Sequence, residues 1–166
     1  MNKKEMTGEE KTEQFIRKNK NIIEKAQDEL DYRTQLMKPM SLESVQATIN
    51  KINKFLSDWC WMDFIYKSID REYIILCGCI DSTYVEPEIE ITFTFPQMIA
   101  SPFYWTMDEK RPFIQLSSAK ELEERTGLYT YDNLYVFKLN NEEINNNSGI
   151  FISATGIKCN ILKKSK

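Results

Sequence analysis

The chain has 166 residues, 42% of them hydrophobic and 28% charged, the composition of one globular domain large enough to bury its own core. It contains no histidine and only five glycines, which excludes Ser-His-Asp and Cys-His catalysis, His-ligated zinc and the Gly-rich phosphate cradles of nucleotide enzymes. The net charge of −3 is unevenly distributed: residues 58–133 carry fourteen acidic and six basic side chains, and so acidic a middle argues against nucleic acid as a ligand.

At the N-terminus, Met1-Asn2-Lys3-Lys4-Glu5-Met6 is charged and no apolar stretch follows it, so no secretory signal is expected. Nor does any run approach the roughly 18 apolar residues that a membrane span requires. The expected location is therefore the cytoplasm, with no membrane partner and with the four cysteines as free thiols. Thr7 and Glu10 fit a capping box and predict a helix over 7–37, with Phe15, Ile22, Ile23, Ala26, Leu30 and Met37 on a narrow apolar stripe. Pro39 ends it. Ser41 caps a second helix over 41–57, where Leu42, Val45, Ile49, Ile52 and Leu56 recur three and four residues apart. Together they predict an αα-hairpin; the thin first stripe leaves homo-oligomerisation through 7–37 as an alternative to packing on its own domain.

From Asp58 the apolar spacing shortens to the period of a strand. Segments 62–69 and 72–80 flank Asp70-Arg71 as a β-hairpin, and Tyr73–Ile80, apolar on both faces, is predicted as a central strand. Ile89, Ile91, Phe93 and Phe95 alternate with Glu88, Glu90, Thr92 and Thr94, predicting an edge-like strand with one wet face. A loop containing Pro96, Pro102 and Pro112 leads to a strand at 113–116. Ser118 and Glu121 form a second capping box for a short helix over 118–126, which Gly127 closes. Strands follow at 131–139, 150–154 and 157–162. The predicted fold is a single α+β domain over 1–166: an N-terminal αα-hairpin, then a mainly antiparallel sheet of about 5–7 strands with one short inserted helix, the sheet spanning 62–162.

Cys77-Gly78-Cys79 puts two thiols on one face of a strand, but the single intervening residue does not suit paired zinc ligands, and small side chains packed in a central strand explain the motif. No cofactor or metal is expected. Asp58, Asp63, Asp70 and Asp81 surround the first hairpin, and Glu86, Glu88 and Glu90 follow the next loop. Such carboxylates supply the one enzymatic alternative, a carboxylate-dependent hydrolase, although no fixed spacing demands it. Aromatic residues in loops, Tyr84 and Tyr104-Trp105 among them, bury large area at small entropic cost and anchor interfaces. The pattern points to a non-enzymatic protein–protein binder whose partner has a basic surface, with Asp58, Asp63, Asp81, Tyr84, Glu86, Glu88, Tyr104 and Trp105 as the binding residues.

In size, acidity and layout, with Trp59-Cys60-Trp61-Met62-Asp63 at the helix-to-strand junction and Ile89–Phe95 as the edge-like strand, residues 40–162 resemble the immunity proteins of bacterial polymorphic toxin systems. The resemblance implies neutralisation of a toxin by covering its active site or substrate groove with an acidic patch. The alternative from another class is a structural, self-assembling protein that uses the N-terminal helix.

Overall fold

The computed structural model describes residues 7–80, 86–102, 104–107, 111–141 and 150–162, with Tyr104 described by its backbone alone. The chain divides into two compact units, Met1–Gln35 and Leu36–Lys166, each described by itself.

The first unit holds helix α1 (Gly8–Leu36) except for its last residue, Leu36, which belongs to the second. The capping box closes in both directions: the Thr7 backbone N–H donates to Glu10 Oε2 at 2.8 Å, and the Glu10 N–H donates to Thr7 Oγ1 at 3.3 Å. Ion pairs one turn apart, Lys20–Glu24 at 3.8 Å and Glu29–Arg33 at 2.8 Å, run along the helix.

The second unit opens with helix α2 (Leu42–Leu56), whose first turn is capped where Ser41 Oγ accepts from the Ser44 N–H at 3.2 Å. Val45, Ile49, Ile52, Phe55 and Leu56 are buried, while Leu42, placed by its spacing on the apolar stripe, is exposed. Among the described residues, nine strand segments follow. They are β1 (Asp63–Ile69), β2 (Tyr73–Cys79), β3 (Ile89–Thr94), β4 (Met98–Ala100), β5 (Tyr104–Thr106), β6 (Ile114–Ser117), β7 (Tyr135–Leu139), β8 (Ile150–Ala154) and β9 (Gly156–Ile161). Helix α3 (Ala119–Thr126) lies between β6 and β7. All pairings among the described residues are antiparallel, in a five-stranded sheet ordered β5-β1-β2-β3-β9 and a four-stranded sheet ordered β4-β8-β7-β6.

Two strands bend from one sheet into the other. β3 turns into β4 at Phe95, which takes a left-handed backbone (φ 46°), and β8 turns into β9 at Thr155. Because β3 pairs with β9 and β4 with β8, the two bends lie side by side, and the Thr155 N–H donates to the Thr94 carbonyl across them at 2.9 Å. The Thr155 hydroxyl lies 2.8 Å from the Leu36 carbonyl and 2.9 Å from that of Thr94. Phe64, Ile91 and Phe93 of one sheet and Phe137, Leu139 and Ile152 of the other share one core, with Phe93 and Phe137 edge to face at 5.2 Å. Helix α2 packs against β9 and β6. Its Asn53 side chain donates to the Ile114 carbonyl at 2.8 Å and accepts from the Ile114 N–H at 3.0 Å.

Several expectations are corrected. There are two sheets, because the long segments 89–100 and 150–161 bend rather than end. β3 is interior, flanked by β2 and β9, so it is no edge strand. β4 and β5, three residues each, are too short to show a period. Strand β7 starts at Tyr135, after a turn at 131–134. The second capping box closes on one side only: Ser118 Oγ accepts from the Glu121 N–H at 3.0 Å, but the Glu121 carboxylate takes the Ser117 hydroxyl and the Lys138 ammonium, both at 2.6 Å. Among the described residues, no helix is long and apolar enough to cross a membrane.

Candidate functional site

The start of β1, the ends of β2 and β5 and the approach to β3 meet at one end of the five-stranded sheet. Asp63 opens β1 and stands opposite Cys79 on one side and Thr106 on the other. Its Oδ1 accepts from the Thr106 hydroxyl at 2.8 Å. Glu88 lies on the far side of β2: its N–H donates to the Gly78 carbonyl at 2.9 Å, its Oε2 accepts from the Ile80 N–H at 3.0 Å, and its carbonyl accepts from the Leu162 N–H at 2.8 Å. The sequence therefore brings Asp63 and Glu88 together around Cys79. Both are 6% exposed, however, and hold strand ends in place. Asp58 and Glu86 are exposed at the segments leading into β1 and β3. Trp61, 48% exposed, stands between Asp58 and Asp63 in the chain.

Trp105 is fully buried, its ring centroid 6.1 Å from that of Phe64 and 5.5 Å from that of Tyr66, so its side chain belongs to the core. Tyr104 pairs through its backbone with Ile65. Asp81 and Tyr84 lie outside the described residues.

The face of the same sheet turned away from the shared core carries a charged row. Lys67 of β1 meets Glu90 of β3 at 2.5 Å, and the Cys77 thiol of β2 lies 3.9 Å from the same Glu90 oxygen. Burial, reinforced by the Glu90 charge, pushes the Cys77 thiol up to about 11, so it stays protonated at neutral pH and is a poor nucleophile. Cys159 is the register partner of core-facing Ile91 and therefore lies on the opposite face of the sheet from Cys77, while Cys60 is exposed before β1. The cysteines do not converge.

A second surface lies just after α3. After Gly127, Leu128, Tyr129 and Tyr131 are 41%, 75% and 73% exposed. Tyr131 lines a cleft of about 210 Å³ together with Ser117, Thr130, Asp132 and Tyr135. Hydrogen bonding to the Glu123 carboxylate, and that group's charge, raise the Tyr129 hydroxyl above its ordinary value. The signal was present in Leu128-Tyr129-Thr130-Tyr131, large side chains just after a helix-ending glycine, but an apolar run into Tyr135–Leu139 disguises it as strand. No protein-family model, curated protein or solved structure matches the chain.

Proposed function

We propose that this chain is a non-enzymatic binding protein that engages a basic protein partner at the acidic end of the five-stranded sheet. The observation that carries the reading is that Asp58, Trp61 and Glu86, on the segments leading into β1 and β3, are exposed, while Asp63 and Glu88 that follow them are buried. Fixed negative charge steers and selects a positive partner, and an exposed Trp supplies apolar area for the contact. Neutralisation of a basic toxin by covering its groove, the role of an immunity protein, is the specific form that this reading takes.

Co-purification from the native host is expected to recover a basic protein. The double variant Asp58→Lys/Glu86→Lys is expected to weaken that pair by about tenfold or more, roughly 1.4 kcal/mol, and to flatten its salt dependence. Glu88 is unsuitable for this test, because reversing it removes the acceptor of the Ile80 N–H. Recovery of no basic partner, or of one indifferent to both charges, overturns the proposal. The exposed Tyr129 and Tyr131 favour a second reading, with the interface beside α3; Tyr129→Ala/Tyr131→Ala then abolishes binding that the charge reversals leave intact.

A further inference from the structure

Helix α1 repeats every seven residues. Ile16, Ile23 and Leu30 form one column, with Met37 just past the helix end, and Phe15, Ile22, Glu29 and Leu36 form another. Thr12, Asn19, Ala26 and Arg33 lie between them. An ideal straight helix drifts by about 20° per heptad from such columns, whereas a left-handed supercoil around a second helix keeps them aligned. A single helix has no core of its own, and Phe15, Ile16, Ile22, Ile23 and Leu30 are each at least 45% exposed on it.

The polar side chains of the stripe are already satisfied within the helix. The Thr12 hydroxyl donates to the Gly8 carbonyl at 3.0 Å, the Asn19 amide donates to the Phe15 carbonyl at 2.9 Å, and Glu29 pairs with Arg33 at 2.8 Å. Burying this stripe therefore strands little polarity, since the cost of burial falls on groups that lack partners. The stripe's margins differ. Lys11, Lys18 and Lys25 line one side at the same spacing of seven, and Glu13, Lys20 and Gln27 line the other. An antiparallel copy would set lysine margin against lysine margin. A parallel copy sets the lysines against the mixed margin and brings the two Asn19 amides level, where a polar seam residue fixes register.

We propose that α1 is a self-association element, pairing in parallel and in register with α1 of a second copy of this chain. Sedimentation equilibrium of the full chain is expected to give twice the 19.6 kDa chain mass, reverting to the single mass on dilution. Ile23→Asp/Leu30→Asp should give a monomer that retains the thermal transition of the remainder of the chain. In a Cys60→Ser background, Thr12→Cys should form an intermolecular disulfide on oxidation, which an antiparallel pair cannot make. A wild-type chain that is monomeric at every concentration, the result of α1 folding back on α2 as a hairpin, overturns the proposal. So does a dimer that the two aspartates leave intact, or one that Thr12→Cys does not cross-link.

Discussion

Cys77, Gly78 and Cys79 show what a short motif can and cannot say. Their small size suits a packed central strand, and the structure gives the reason: a Cβ on Gly78 would stand 2.6 Å from Met62 Sδ, 2.8 Å from Ile89 Cγ2 and 2.9 Å from Phe64 Cε1. Gly78→Ala is therefore expected to destabilise the fold by about 1–3 kcal/mol in denaturant melts, as overpacked cores do. Thiol titration should separate the cysteines. Cys60 reacts at once, whereas Cys77 and Cys79 react only on unfolding, because both are buried and burial holds the Cys77 thiol up at about 11. Prompt reaction of three or more thiols in the folded protein would contradict this. Trp105 marks the limit of the sequence. An aromatic residue in a proline-bounded loop looks the same whether it anchors a partner or its own core, and only the pairing of β5 with β1 turns this one inward.

At the scale of elements, the helices and the β1–β2 hairpin were legible because their signals are local. Thr7, Ser41, Gly127 and Asp70 each act within a few residues of themselves. Asp70 Oδ1 accepts from the Glu72 and Tyr73 N–H groups at 2.8 Å each, and these bonds, that to Tyr73 first, hold its carboxyl below the usual 3.8. Its contribution to stability is thus complete above the unfolded value and is lost as pH falls through the folded one. Asp70→Asn is expected to flatten the stability profile in that acid window, and an unchanged profile would rule the contribution out. What the sequence hid is long-range. Asn53, which reads as a polar residue on the outer side of α2, closes both backbone groups of buried Ile114, 61 residues away. Asn53→Ala strands them and is expected to cost about 2–3 kcal/mol, measurable as a shift of the denaturation midpoint with unchanged slope. The paired bends at Phe95 and Thr155 were invisible for the same reason. A strand that bends keeps the alternation of one that ends, so the split into two sheets appears only in the pairing of distant segments.

For the whole molecule, the distribution of charge outlasts the correction of individual residues. Of the positions singled out for binding, Asp63, Glu88 and Trp105 are buried, while Asp58 and Glu86 remain at the surface with Trp61. That surface is where we propose that a basic partner docks. Amide hydrogen exchange of the full chain, alone and saturated with the basic partner from its host, tests it most directly. Slowed exchange at residues 58–63 and 86–90, with residues 128–132 unchanged, is the predicted result. Protection that falls on 128–132 and leaves the acidic end as it was would contradict it.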